Sequence, residues 1–518
     1  MLSIDILKDE YWWGGLIKDA ENMPYSAETV LRFDLERNRR GQSAPLYLSS
    51  KGRYIWSEEP FIIEFNKGKI TVESEYEVKV VKAGETLRDA YLEAMKKHFP
   101  FKEGIHTPRE FYIYPQFNTW MELIKEQKQD DIIKYAEEIV ENGYKPGILM
   151  IDGGWQICQG TWEPRYDMMP DPKAMTDRLH ELGFVVMIWV SPFMCSEGKT
   201  FLELYVDYAV EGVSEELRYN HLLRYKDGTP AIDHWWSGYS SIYNFNLPDD
   251  CAHMDKQLRH LMDDYGFDGF KFDGGSYKPQ EFIMGTDFYG DYTLSQLNNA
   301  WMEFASSYKF HEVKDSWKQG GKQIIQRLVD KGHKWKGNGI DCLIPHSCFI
   351  GLIGSPFVCP DMVGSGSWTA FIKGELDEEL FVRMAQCSAL FPMMQFSALP
   401  WRRLSENGQK ICKEMAELHE VMYPEIEKVL ENTEKTGEPI IRSMEYMYPG
   451  CGYEKINDQF VLGENILVAP VVVKGEVVKT VHIPEGTWIE QNFGKVYEGP
   501  CVANIDAPIE ILPWFKRK

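Results

Sequence analysis

The sequence lacks the motifs that mark several large classes of protein. Its ten cysteines form no CxxC pair, and its twelve histidines form no HExxH or HxH arrangement, so a zinc site is not expected. There is no P-loop and no GxGxxG after an apparent strand, which argues against a nucleotide cofactor. We therefore expect neither a metal nor a cofactor.

Long apolar runs and a basic leader are also missing. Residues 1–8 show no basic stretch followed by an apolar one, so no signal peptide is expected, and no run approaches eighteen apolar residues. The cysteines are scattered and are interpreted as reduced thiols, many of them in core positions such as Cys342 and Cys359. A cytoplasmic protein is the expectation.

Basic residues are outnumbered by acidic ones. The chain has 56 Lys and Arg against 79 Asp and Glu, a formal charge of −23. This charge argues against nucleic acid and anionic membranes as partners and favours a neutral or cationic ligand. With 518 residues, of which 44% are hydrophobic, the chain is globular and long enough for more than one domain.

The hydrophobic pattern divides the chain into three domains. Residues 1–104 alternate polar and apolar side chains, which predicts an N-terminal antiparallel β-sandwich closed by a helix near Leu87–Lys97. Residues 105–405 alternate apolar runs with amphipathic helices, as in a (β/α)8 TIM barrel or a doubly wound sheet of the α/β class. The barrel is favoured because polar residues follow several strands at matching positions. Residues 406–518 begin with a helix and predict a C-terminal antiparallel β-sandwich.

The barrel elements are predicted individually. The expected strands are Phe111–Tyr114, Ile148–Ile151, Val185–Val190, Gly269–Phe272, Ile324–Val329 and Pro356–Val358. The expected helices are Gln129–Asn142, Lys173–Leu182, Asp249–Tyr265, Tyr292–Tyr308 and Leu376–Leu390. An insertion at 196–246, containing Trp235 and Trp236, is expected to fold over the barrel mouth.

Asp273 is the most informative residue. It follows the short run Gly269–Phe272 and precedes two glycines, which is how a barrel strand presents a nucleophile or a base. The alternative is an aspartate that caps the next helix. Asp152, Asp330 and Asp361 also follow apolar runs, so in a barrel all four carboxylates converge on one rim.

Converging carboxylates suit either a divalent metal or glycoside hydrolysis. Lys271 and Arg327 lie beside the acids, and fixed cations compete with a metal while they keep a carboxylate ionised and bind sugar hydroxyls. Lys271 also has the strand-end position of a Schiff-base lysine, but its place two residues before Asp273 favours a charged partner of that aspartate. Sugar binding is therefore the preferred interpretation.

Three tryptophans at strand ends are candidate stacking platforms for a sugar ring: Trp120, Trp155 and Trp189. Each of them taken singly is more typical of core packing. Together they favour a carbohydrate ligand.

Several segments taken together resemble glycoside hydrolase family 31. They are 270–275 (FKFDGG), 339–345 (GIDCLIP), 354–364 (GSPFVCPDMVG), 391–397 (FPMMQFS) and 460–471 (FVLGENILVAPV). The branch that the chain resembles contains the myogenesis-regulating glycosidase and bacterial relatives with α-galactosidase activity.

The resemblance implies a role for each aspartate. Asp273 would be the nucleophile and Asp330 the general acid/base, while Asp152 and Asp361 would hold sugar hydroxyls. Most of the family has Trp-x-Gly-Asp where this chain has Arg327-Leu-Val-Asp330, and an alternative alignment places Asn338 at the acid position. The Lys-x-Asp pattern at 271–273 is similar to that of α-galactosidases of a related family, which favours galactose.

The sequence thus predicts a retaining, exo-acting α-glycoside hydrolase, with an α-galactosidase preferred and an oligosaccharide or glycoside as substrate. Glucose and N-acetylgalactosamine remain open as the sugar. A non-catalytic sugar-binding homologue and a metal-dependent lyase or isomerase are the alternatives from other classes. The terminal β domains offer surfaces for a homo-oligomer.

Overall fold

The computed structural model describes residues 1–38, 40–102, 104–209 and 221–518, with the helix Lys199–Ala209 described by its backbone alone from Tyr205 onward. Within these residues, no helix is both long and apolar enough to cross a bilayer. The chain forms an N-terminal β domain, a barrel and a C-terminal sheet.

The N-terminal domain is the predicted antiparallel β-sandwich. One sheet contains, in order, Leu2–Asp5, Lys69–Glu73, Ile62–Asn66 and Leu31–Asp34, and the other Trp12–Leu16, Ser43–Ser49, Arg53–Ser57 and Val78–Lys82. Alternate residues are buried, as in Lys69–Glu73, where Ile70 and Val72 point inward. The closing helix is Leu87–His98, which begins with a capping box formed by Thr86 and Asp89.

The central domain is the predicted TIM barrel of parallel strands. In their order around the barrel the strands are Gln116–Asn118, Ile148–Ile151, Val185–Val190, Gly269–Phe272, Phe310–Val313, Gln326–Arg327, an interrupted seventh strand (Val358–Cys359 and Met362–Val363) and Gln395–Phe396. The eighth strand pairs with the first, which closes one side. The seventh closes the other, because its first half pairs with strand six and its second half with strand eight.

The five predicted helices lie outside the barrel, together with two that were not predicted, Thr369–Lys373 and the completely buried Leu343–Leu352. The five are Gln129–Glu141, Pro172–Glu181, Pro248–Tyr265, Leu294–Ala305 and Glu378–Ala389. The connection from the fifth to the sixth strand, residues 314–325, contains no helix. This connection lies directly at the barrel mouth and carries charged residues of the candidate site.

The first strand was placed wrongly by the sequence. Phe111–Tyr114 falls largely on a short helix, Glu110–Ile113, and the strand is Gln116–Asn118, after Pro115. A run of four apolar residues has no period that separates a strand from one helical turn. The fifth strand, Phe310–Val313, was not predicted because two of its four buried side chains, His311 and Glu312, are polar and hide the apolar run.

The insertion after the third strand folds over the mouth in part as a three-stranded antiparallel sheet. Its strands lie in the order Phe193–Met194, Gly238–Ile242 and Ile232–Trp235. The predicted range 196–246 also includes residues 210–220, which lie outside the described residues. Trp236, at the tip of the hairpin, is 66% exposed and faces the cavity described below.

The C-terminal domain is antiparallel, as predicted, but its described strands form one sheet of six where a sandwich has two. The order is Ile441–Arg442, Phe460–Leu462, Ile466–Val468, Trp514–Arg517, Val478–Glu490 and Val496–Asp506. Its first strand, Ile441–Arg442, has only two residues and is followed by the helix Met444–Met447. The preceding helix, Glu406–Thr436, buries its apolar face in the barrel core.

The N-terminal domain docks onto the ends of strands five and six. Buried Gln42 donates from Nε2 to the carbonyl oxygens of Lys314 (2.7 Å) and Arg327 (2.8 Å). The neighbouring Gly41 N–H donates to the carboxylate of Asp315. The loop at 40–43 is therefore part of the wall of the barrel mouth.

Candidate active site

A cavity of about 900 Å³ opens at the C-terminal ends of the barrel strands. Because all the strands are parallel, their carboxyl ends meet at this face. Seven of the nine predicted site residues line the cavity: Trp120, Asp152, Trp189, Lys271, Asp273, Arg327 and Asp330. Trp155 and Asp361 are not part of the lining.

Asp273 is a buried, ionised carboxylate at the end of the fourth strand. Its Oδ1 accepts the Gly274 N–H at 2.8 Å, and its Oδ2 accepts the Trp189 Nε1–H at 3.0 Å. Lys314 Nζ lies 3.7 Å from Oδ1. Burial raises the pKa of Asp273, but the charges of Lys314 and Lys271 outweigh it, so the pKa lies below its ordinary value. Such a group is available as a nucleophile.

Lys271 has a different direct partner from the one predicted. Its ammonium forms a buried ion pair with Asp152 Oδ2, across the third strand, and it reaches Asp273 through its charge alone. The period of a strand places Lys271 and Asp273 on one face, but the long lysine side chain extends sideways to the second strand. The ammonium in contact with Asp273 belongs to Lys314, from the strand that the sequence did not reveal.

Asp330 lies across Lys314 from Asp273. Lys314 Nζ is 3.1 Å from both Asp330 oxygens, and Arg327 donates from Nη1 to Asp330 Oδ1 at 3.0 Å. Although 43% of its side chain is accessible, Asp330 stands inside the cavity. This enclosure raises its pKa, but the charges of Lys314 and Arg327 outweigh it and hold the pKa far below its ordinary value. Without a substrate, Asp330 is therefore ionised.

The two carboxylates are close enough to act on one bond. Lys314 Nζ touches both groups, so the distance between Asp273 Oδ1 and Asp330 Oδ1 is at most the sum of 3.7 and 3.1 Å. Retaining glycosidases hold their carboxyl groups about 5–5.5 Å apart and inverting ones roughly 6.5–9.5 Å apart. The shared lysine thus brings one oxygen of each carboxylate close together, which favours the shorter separation of a retaining pair.

Asp361 supports the site from behind. It forms an ion pair with the buried Arg327, and its Oδ2 accepts the backbone N–H groups of Lys331 (2.6 Å) and Gly366 (3.2 Å). Its φ of +139° breaks the seventh strand, and these contacts hold the strained backbone. We therefore place Asp361 as an anchor of Arg327, whereas the sequence predicted contact with sugar.

The predicted aromatic platforms separate into two groups. Trp120 and Trp189 line the cavity, but Trp155 is completely buried, stacks on Trp162 and donates from Nε1 to the Trp189 carbonyl oxygen at 2.8 Å. A strand-end position does not reveal the direction of an indole, so the prediction for Trp155 was wrong. Trp236 and Trp368, 66% and 44% exposed, line the mouth instead.

Lys314 and Asp315 are the site residues that sequence reasoning missed. Both line the cavity directly after the fifth strand, and burial together with the charge of Asp273 raises the pKa of Asp315 to about 6. The sequence does contain a signal for these residues: in Val313-Lys-Asp315 an apolar residue is followed by charged ones, as Phe272 is followed by Asp273, which indicates the end of a strand.

Asn338, the alternative candidate for the acid position, lies beside Asp330. It donates from Nδ2 to the Asp330 carbonyl oxygen at 2.8 Å and also lines the cavity. An amide carries no proton that it can transfer, so of these two neighbours Asp330 alone has acid chemistry.

The two ammonium groups indicate whether the cavity binds a metal or a sugar. Lys314 Nζ stands between two carboxylates, and Lys271 Nζ neutralises a third. Fixed positive charges among the oxygens oppose a divalent cation and supply donors for sugar hydroxyls. The cavity chemistry favours glycoside hydrolysis over metal catalysis.

The fold and this cavity define a TIM-barrel protein whose candidate site consists of paired carboxylates and ammonium groups. The model of the glycosyl hydrolase family 31 TIM-barrel domain matches residues 114–426, and that of the family's C-terminal domain matches residues 437–518. The chain belongs to glycosyl hydrolase family 31.

Similar proteins agree with this assignment. The myogenesis-regulating glycosidase of Mus musculus is 28% identical over 408 residues, which cover 77% of this chain and 55% of the relative. The 1,3-alpha-isomaltosidase of Kribbella flavida is 24% identical over 436 residues, which cover 77% of this chain and 54% of the relative. The chain spans about half the length of these relatives. A family 31 dextranase of Flavobacterium johnsoniae, solved with glucose, superposes with a TM-score of 0.82 at 19% identity, over 100% of this chain and 66% of that one.

Proposed function

We propose that the chain is a retaining, exo-acting α-glycoside hydrolase. The observation that carries this proposal is the pair Asp273 and Asp330, which share Lys314 at the bottom of a cavity edged with indoles. The buried ion pair of Asp152 and Lys271 closes the floor, which suits a site that takes one terminal sugar. The names of the similar proteins, which include glycosidases, support the same chemistry.

The mechanism begins with attack by Asp273 on the anomeric carbon. Asp273 is ionised, and the Gly274 N–H and the Trp189 indole hold its two oxygens in place at the cavity. Asp330 gives a proton to the leaving oxygen and then takes one from the water that releases the sugar. Two inversions leave the configuration unchanged.

Asp330 must gain a proton before it acts as an acid. Its pKa is low because Lys314 and Arg327 contact it. A bound sugar can accept a hydrogen bond from Lys314 and so draw the ammonium group away from Asp330. The sugar also excludes water from the cavity. Both changes raise the pKa of Asp330. In this scheme, substrate binding itself prepares the acid.

Galactose is the first sugar to test, because the pattern Lys271-x-Asp273 is similar to that of α-galactosidases. The names of similar proteins include α-glucosidases, an α-xylosidase and an isomaltosidase, so α-glucosides belong in the same panel. α-N-Acetylgalactosaminides are included because the sequence leaves that sugar open. All ten cysteines are unpaired, which supports a reducing, cytoplasmic compartment as part of the proposal.

The test is a panel of aryl α- and β-glycosides with wild-type protein and Asp273→Ala. We expect release from α-glycosides alone, α-galactoside first, and a loss of about a thousandfold or more in the variant, because the covalent step needs the carboxylate. Asp263→Ala, on the exposed face of the preceding helix, is the matched control and should retain activity. Normal turnover by Asp273→Ala would refute the nucleophile.

Retention is measured separately by NMR of the first sugar released. The α-anomer should appear before mutarotation, whereas an initial β-anomer would show inversion and contradict the double displacement.

A non-catalytic sugar-binding protein is the second candidate. It is favoured by one observation, the ionised state of Asp330 in contact with Lys314. Micromolar sugar binding with no turnover from pH 4 to 9, by wild type and Asp273→Ala alike, would support it.

A further inference from the structure

The cavity has the opposite charge balance to the whole chain. Among the described residues, eight Lys and Arg side chains and four Asp side chains line it, although the chain has a formal charge of −23. The overall charge led to the expectation of a neutral or cationic ligand. A substrate responds to the charges within about a Debye length, ~10 Å in ordinary salt, so the local balance decides.

The cations of the cavity floor already have partners. Lys271 is paired with Asp152, Lys314 lies between Asp273 and Asp330, and Arg327 contacts Asp361 and Glu312. These charges serve the carboxylates beside them and offer little net attraction to an anion.

The cations of the rim are different. Arg40, Lys125 and Lys334 are exposed, line the cavity, and form no ion pair with an acidic side chain anywhere in the described chain. They come from three sides: Arg40 from the N-terminal domain loop, Lys125 from the loop after the first strand, and Lys334 from the loop after the sixth. Three cations without an ion-pair partner around one opening create a positive field at that opening, which the charge of Asp315 offsets in part at Arg40.

The position of these three residues assigns them to the leaving group. Asp273 is 8% exposed at the bottom of the cavity, so the sugar that it attacks occupies the buried end. The part of the substrate beyond the scissile bond then extends toward the exposed rim. An acidic group on that part would lie among Arg40, Lys125 and Lys334.

We propose that the natural substrate is an α-glycoside whose leaving group carries an anion, a carboxylate, sulfate or phosphate. This inference rests on the proposed hydrolase activity and names its substrate class. The rim cations act in binding and in attracting the substrate, while the chemistry at the anomeric carbon is unchanged.

The test compares an α-glycosyl-glycerol with the matching α-glycosyl-glycerate, which differ by one carboxylate at the leaving group. The sugar is the one that the aryl panel identifies, α-galactose first. At low salt we expect kcat/KM to be about tenfold higher for the glycerate, mainly through KM, because its carboxylate can pair with the exposed cations of the rim. The ratio should approach one at about 0.5 M salt because exposed charges are screened.

Two variants identify the source of the preference. Arg40→Gln combined with Lys334→Gln should lower the glycerate-to-glycerol ratio toward one. Lys410→Gln combined with Lys435→Gln removes the same charge from exposed sites outside the cavity (72% and 74% accessible) and should leave the ratio unchanged. Equal kcat/KM values for the two compounds at low salt would overturn the proposal.

Failure of the hydrolase activity is distinguishable from failure of this inference. Hydrolysis of the neutral compounds without a charge preference contradicts the anionic leaving group alone. If no glycoside is hydrolysed, calorimetric titration with the same two compounds decides the inference: tighter binding of the glycerate supports it, and equal or weaker binding overturns it.

Discussion

Lys314 is the residue on which the chemistry of this site depends most. It is the direct cationic contact of Asp273 and also touches both oxygens of Asp330. It therefore lowers the pKa of both carboxylates. A neutral side chain at this position would alter nucleophile and acid together.

We expect Lys314→Met to reduce kcat by about tenfold to a hundredfold and to move both limbs of the pH profile of kcat, which reports the enzyme–substrate complex, upward by about one unit. The sign follows from the pKa shifts, since loss of the cation raises the pKa of Asp273 on the acidic limb and of Asp330 on the basic limb. Lys309→Met, at the other end of the same strand and 66% exposed, is the control. A pH profile that stays in place would show that Lys314 does not set these pKa values.

Residues differ in how far the sequence reveals their role. Asp152 and Asp273 were predictable because each follows a fully buried run of four residues, Ile148–Ile151 and Gly269–Phe272. Lys314 was missed because the strand before it buries a histidine and a glutamate, so the sequence shows no apolar run there. Trp155 was misjudged since its contacts come from other parts of the chain.

At the scale of elements, the loop at 40–43 joins the N-terminal domain to the site. Gln42 is fully buried and bonds the carbonyl oxygens of Lys314 and Arg327, so a residue of one domain fixes the backbone of two site residues in another. The periodicity of the sequence distinguishes the β-rich N-terminal part from the barrel, but contacts between the two leave no local pattern. This dependence of the barrel mouth on its neighbour was not predictable.

We expect Gln42→Ala to lower the free energy of unfolding by about 1–3 kcal/mol, because two buried carbonyl groups lose their donor. Activity should fall as well, even well below the melting temperature, since Lys314 and Arg327 are no longer fixed. Gln280→Ala, which removes an exposed hydrogen bond to Arg37 between the same domains, should change neither quantity much. If Gln42→Ala is destabilised but keeps normal kcat/KM, the loop has a structural role alone.

For the whole molecule, the hydrophobic cores indicate a single cooperative unit. Apolar residues of the C-terminal sheet, such as Phe460, pack in the barrel core, and barrel residues such as Trp317 pack with the N-terminal domain. Groups in different domains should then contribute to one unfolding transition. The pH dependence of that transition follows from groups whose pKa values differ between the folded and unfolded chain.

Two buried carboxyl groups contribute to this dependence near neutrality. Burial raises the pKa of Asp233, in the insertion hairpin, and of Glu445, beside the C-terminal sheet, to about 7 each. The folded chain therefore holds more protons than the unfolded one up to about pH 7, so stability is lost as pH rises through that value. Burial lowers the pKa values of histidines such as His311 and His346 to about 4. These histidines make the folded chain more stable as pH rises, but only up to about pH 6.5, where they are neutral in the unfolded chain as well.

We therefore expect one melting transition whose midpoint falls between pH 6.5 and 8. Asp233→Asn and Glu445→Gln should each reduce that fall, because the amide has no charge to bury, and at pH 8 each should add up to about 2–3 kcal/mol to the free energy of unfolding. Asp263→Asn, which alters an exposed carboxylate, should give a curve parallel to that of the wild type. Calorimetry across this range checks the prediction. If Asp233→Asn and Glu445→Gln instead affect two separate transitions, the barrel and the C-terminal sheet unfold independently in spite of their shared core.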